Sequence, residues 1–86
     1  MVTAIVLIGA SPERVAELGR EVADVEGVEI VYSVAGDEDL VAIVRAVEHD
    51  ALARLVTERI APLHGITGTR TLIAFREYSS EDMRNI

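Results

Sequence analysis

The chain repeats itself with a period of 38 residues. Ala4-Ile5-Val6 returns as Ala42-Ile43-Val44, and Gly27-Val28 returns as Gly65-Ile66. Between them Val15, Leu18, Val22 and Val25 return as Ala53, Val56, Ile60 and Leu63. Each copy reads as an apolar run, a helix with one apolar stripe, a glycine and a second apolar run. An internal repeat constrains the architecture before any other signal does. Two strand–helix–strand units, joined by the short turn Gly36-Asp37-Glu38-Asp39, make βαββαβ. That is an α+β, ferredoxin-like plan: a four-stranded antiparallel sheet with two helices on one face. At 86 residues the chain is sized for one domain. The reading assigns residues 1–78 to that domain and leaves residues 79–86 as a polar tail, frayed or forming a short extra turn.

Within the first copy, residues 2–8 read as a strand. Ser11 is placed to cap a helix, with Pro12 at its first position and Glu13 in its first turn. Gly27 stops that helix. Residues 28–35 and 40–46 read as the second and third strands. A second helix starts near His49 or Asp50, turns Leu52, Leu55, Val56 and Ile60 inward and ends at Pro62. The fourth strand is expected over residues 68–78.

A strand with one wet face alternates apolar and polar residues. Ala4-Ile5-Val6-Leu7-Ile8 and Leu40-Val41-Ala42-Ile43-Val44 do not alternate. Both are therefore expected at the sheet centre, with apolar side chains on both faces. Two helices cover one face only, so the other is left apolar and open. Exposed apolar patches of this size mark interfaces, and the expected occupant is a second copy, with the Val and Ile side chains of strands 1 and 3 in the contact.

Eight basic and fifteen acidic residues give a formal charge of -7, which repels phosphate backbones and argues against direct nucleic-acid binding. All eight basic residues are Arg, and there is no Cys. Lysine Schiff bases, thiol nucleophiles, disulfides and thiolate metal sites are excluded together. The first apolar run is too short for a signal peptide or a membrane span, and the expected setting is cytoplasmic. Only Tyr32, Phe75 and Tyr78 are aromatic, too few for base stacking on the sheet.

The turn at residues 34–40 is the densest polar cluster beside a core strand. Gly36 can take a positive φ, and Asp37, Glu38 and Asp39 could receive a cation or an ammonium group, or could simply be a solvated hairpin turn. Calcium would need the spaced oxygens and closing Glu of an EF-hand, which are missing. Thr67, Thr69 and Thr71 alternate, and by that spacing share a face of strand 4 as hydrogen-bonding groups for a ligand or as ordinary strand residues. His49 and His64 lie at opposite ends of helix 2, too far apart for a joint metal site. Arg70 and Arg76 read as rim or salt-bridge residues.

The stretch Tyr32-Ser33-Val34-Ala35-Gly36-Asp37-Glu38-Asp39-Leu40 resembles the strand–turn–strand signature of the effector domain of the Lrp/AsnC family, often called the RAM domain. His64-Gly65-Ile66 is similar to that family's Pro-Gly-Val, and Thr69-Arg70-Thr71-Leu72-Ile73 to its Thr-x-Thr-x-apolar strand. The resemblance runs over about residues 3–78. It implies an amino-acid-sensing transcription regulator whose sheets pair face to face into homodimers, with dimers assembling into rings such as octamers. The effector of such proteins lies between dimers near the Gly-x-x-Asp turn. By resemblance, Gly36 would offer backbone N–H groups to a carboxylate, Asp37 and Asp39 would meet the ammonium, and Thr69 and Thr71 would line the wall. Glu38 stands where the family often has an aromatic or apolar residue. No cofactor and no metal are implied. The chain starts at strand 1, without room for the family's helix-turn-helix, so the resemblance is to a stand-alone effector domain. Such a domain would sense an amino acid by itself or modulate full-length Lrp/AsnC regulators by co-assembly. Two other classes stay open: an oligomerisation module that binds nothing, and a small dimeric ferredoxin-like enzyme. The enzyme is disfavoured because its only candidate bases, Asp37 and Asp39, sit in a surface turn.

Overall fold

A computed structural model describes residues 1–80. Four strands, β1 (Val2–Ala10), β2 (Val28–Ser33), β3 (Leu40–Ala46) and β4 (Ile66–Ala74), form one antiparallel sheet in the order β2-β3-β1-β4. A 3-10 turn (Pro12–Arg14) leads into helix α1 (Val15–Ala23), and α2 (His49–Arg54) continues as a π-type segment (Leu55–Ile60). In that segment the Ala61 N–H donates to the Val56 carbonyl, five residues back, at 2.8 Å. No helix among the described residues is long and apolar enough to cross a membrane.

The two copies of the repeat meet in the sheet itself. β1 and β3 pair antiparallel about Ile5↔Ile43, with Ala4 opposite Val44 and Val6 opposite Ala42. Because side chains alternate across a strand, this register sorts both strands into two faces. Ala4, Val6 and Ile8 of β1 and Leu40, Ala42 and Val44 of β3 lie under the helices, packed with Leu18, Val22, Leu52, Val56 and Ile60. Thr3, Ile5 and Leu7, with Val41, Ile43 and Arg45, form the opposite face. Both strands are central, as their unbroken apolar runs require. The expectation that the Val and Ile residues of strands 1 and 3 share the open face needs correcting: Val6 and Val44 belong wholly to the core, and only the odd-numbered residues point outward.

Gly27 and Gly65, equivalent in the repeat, adopt φ of 100° and 98°. Each reverses the chain between a helix and the next strand, where a left-handed residue costs an L side chain about 1–2 kcal/mol. At Gly27 a Cβ would also lie 2.5 Å from Leu55 Cδ1 and 3.1 Å from the Arg45 carbonyl oxygen. At Gly36 (φ 144°) a Cβ would meet nothing within 4 Å. Gly27→Ala is therefore expected to lower unfolding free energy by about 2–3 kcal/mol, and Gly36→Ala by about 1 kcal/mol. Urea titrations of the two variants check the ranking.

Several boundaries differ from expectation. Ser11 makes no side-chain cap; its N–H donates to the Gly65 carbonyl (2.8 Å) and its carbonyl accepts from Arg14 (2.9 Å). Arg14 secures this corner. Its guanidinium donates to the His64 carbonyl (3.2 and 3.1 Å) and pairs with Glu17 and with Glu21, the latter at 2.7 Å. β2 stops at Ser33, because the Val34 N–H turns to the Asp39 carbonyl (3.0 Å) and closes the hairpin. β4 spans Ile66–Ala74, starting earlier and ending sooner than residues 68–78. It ends there because Ala74 already lies opposite Thr3, near the beginning of β1. Part of the expected polar tail, residues 81–86, lies outside the described residues.

Candidate functional site

The β2–β3 hairpin lies where β1 parts company with β3. The last paired residues there are Ile8 and Leu40, and beyond them β1 continues with β4 alone. Asp39 bridges the gap. Its N–H donates to the Ile8 carbonyl (3.0 Å), and its Oδ2 accepts the Ala10 N–H (2.8 Å). A carboxylate replaces the missing strand partner, an arrangement stronger than a neutral hydrogen bond. Asp39 thereby fixes the height of the turn over the end of β1.

Beside this post lies an open cleft of about 320 Å³, lined by Gly9, Asp37, Glu38, Asp39, Thr67, Gly68, Thr69 and Arg70. Gly9 and Gly68 face each other across β1 and β4, so the floor is bare backbone. A side chain at Gly9 would come within 2.7 Å of the Thr67 hydroxyl. Glu38, half-buried, holds the exposed Arg70 guanidinium at 3.2 Å. Three acidic residues and one guanidinium line the cleft, which biases it toward a positively charged group. Among the described residues no three acidic or His side chains converge to hold a metal ion.

Of the residues anticipated from sequence, Asp37, Asp39 and Thr69 come together here. Gly36 supplies the turn's positive φ but does not line the cleft. Thr71 lines a separate apolar groove with His49, Leu52, Ala53, Val56, Thr57 and Ile73. The expectation that Thr67, Thr69 and Thr71 share a face is overturned by a shift in the β1–β4 register. Ile66 lies opposite Ala10 and Gly68 opposite Gly9, leaving Thr67 as an extra residue. Such a bulge reverses the alternation at that point. Thr69 and Thr71 keep the helix side, opposite Ile8 and Val6, while Thr67 turns toward Gly9. Sequence reasoning missed the glycine floor; Gly9, ending an otherwise apolar strand, was the available signal.

Residues 3–83 match the sequence profile of the Lrp/AsnC ligand binding domain. The chain belongs to that family. Within it, the transcriptional regulator LysM of Saccharolobus solfataricus is 32% identical over 78 residues, covering 90% of this chain and 54% of LysM. This Lrp/AsnC domain thus spans about half the length of the curated relatives it matches, which are named as helix-turn-helix transcriptional regulators. The structure of TTHA0845 from Thermus thermophilus is 46% identical and superposes with a TM-score of 0.86, covering 92% of this chain and 99% of that one. A feast or famine regulatory protein from M. tuberculosis, complexed with L-methionine, is 30% identical with a TM-score of 0.79, covering 94% of this chain and 54% of that one.

Proposed function

We propose that this Lrp/AsnC domain is an amino-acid-responsive regulatory module, binding its effector in the hairpin cleft at an interface between copies. The cleft carries the reading: bare backbone from two glycines, an acidic wall and one guanidinium lie together at the point where the turn is pinned to β1. The L-methionine complex of the M. tuberculosis relative supports an amino acid as the ligand class. In this reading the exposed Asp37 meets the effector's ammonium and Arg70 its carboxylate, with Glu38 releasing Arg70 as the ligand enters. Thr69 forms the wall. Asp39 acts as the post that holds the turn, because one of its oxygens is already committed to Ala10. The module works as a binding domain, not a catalyst, in the cytoplasm. It acts on transcription through other Lrp/AsnC chains that carry a DNA-binding domain, by co-assembly into dimers and higher rings such as octamers.

A thermal-shift screen against the twenty amino acids tests this. A ligand at about 100 times its dissociation constant adds about 2.7 kcal/mol, a rise in Tm on the order of 10 °C for a domain of this size. The expected result is a selective shift that Asp37→Ala removes without altering the unliganded Tm. Asp39→Ala is expected to lower the unliganded Tm itself. No shift with any amino acid would favour the second reading, an oligomerisation module without a ligand, for which the uncovered sheet face speaks.

A further inference from the structure

We propose that residues 75–78 form a clasp that closes the dimer, with Phe75 and Tyr78 of each copy buried against the open sheet face of the other. The inference rests on the face-to-face dimer read above and adds the element that holds it. Past Ala74 the chain leaves the sheet, yet it carries two of the three aromatic residues. Phe75 is 93% exposed and Tyr78 82%. A protein rarely leaves such rings in water without a partner for them, since burying one removes about 150–250 Å² of surface from solvent.

The arm also shapes what it would receive. Phe75, Arg76 and Glu77 wall one side of a 380 Å³ cleft whose floor is the open face, at Thr3, Ile5 and Ile43. Across a twofold axis each copy's arm then meets the other's cleft, because such an interface uses the same patch on both partners. Four strands about 4.8 Å apart, each presenting about 20 Å of length, give the face an area of about 400 Å². That is half the roughly 800 Å² per partner of a standard interface. Two buried aromatics per copy supply the remainder.

Charge favours a second copy as the occupant. Arg45 pairs with Glu29 at 3.3 Å and Arg70 with Glu38 at 3.2 Å, while Arg76 and Glu77 lie side by side on the arm. Around the cleft floor the charges are therefore matched, while the surplus acids Asp37 and Asp39 lie at the hairpin end. Two copies can approach through that floor without the repulsion their net charge would impose.

The chain has no Trp, so Phe75→Trp places a single reporter in the arm. Sedimentation gives the dimer dissociation constant of the wild type, and emission of F75W is followed across the same concentrations. The clasp predicts a blue shift that tracks dimer formation, and a dissociation constant raised at least about 100-fold by combining Phe75→Ala with Tyr78→Ala. A dimer that forms while the F75W emission stays that of solvent-exposed indole, or that is unaffected by the double substitution, overturns the clasp alone. A wild type that stays monomeric at all concentrations overturns the dimer reading and the clasp with it.

Discussion

Val44→Asp is expected to abolish folding. Val44 is fully buried at the centre of β3, packed under the helices with Ala4 and Val6. The substitution loses about 1.5–3 kcal/mol of apolar burial. It also places a carboxylate among aliphatic side chains with no buried polar group nearby to receive it, a penalty of several kcal/mol. A domain of this length has about 4–13 kcal/mol in total to lose. Far-UV circular dichroism and amide proton dispersion should show an unfolded chain at 25 °C. A cooperative melt within about 2 kcal/mol of wild type would show that the two faces of β3 have been assigned the wrong way round.

One residue earlier, the same change is expected to do something different. Ile43 lies on the open face, opposite Ile5, and is only half-buried in a single copy. Ile43→Asp should cost the isolated fold about 1 kcal/mol, within the range of ordinary substitutions. In a face-to-face dimer the twofold axis brings two such carboxylates into one dry interface. Removing or stranding a buried charge typically costs 3–5 kcal/mol, so the dissociation constant should rise by about 1,000-fold or more. Sedimentation equilibrium at about 10 μM is then expected to read a folded 9.3 kDa monomer for the variant and a dimer or larger for the wild type. A variant that keeps the wild-type mass would remove the open face from the assembly.

This pair of neighbours also shows what the sequence could and could not say. The repeat and the unbroken apolar runs place β1 and β3 at the sheet centre, and the bounds of β3, Leu40–Ala46, were readable to the residue. Apolarity on both faces, however, erases the alternation that would have told Ile43 from Val44; only the register with β1 separates them. At β4 the reverse happened. Thr67, Thr69 and Thr71 alternate plainly in sequence, but the extra residue at the Gly9/Ala10 shift breaks the pattern, and Gly9 and Gly68 beside it were the only local hint of a bulge. Phe75 and Tyr78 have strand-like composition and drew the expected strand too far, because composition does not reveal that β4 has reached the beginning of β1 and run out of partner residues there. The hairpin was legible as a candidate site through its glycine and acids. That Asp39 is tied down while Asp37 stays exposed was not, since it depends on the Ala10 N–H, 29 residues away.

An amino acid held in the hairpin cleft would shield the backbone around it. Hydrogen exchange of the wild-type chain, with and without the amino acid that gives the largest thermal shift, reads this residue by residue. Slowed exchange is expected at residues 34–40 and 66–70, the two segments that wall the cleft. Protection confined to residues 49–57 and 71–73 would place the ligand in the groove between α2 and β4 and contradict the assignment.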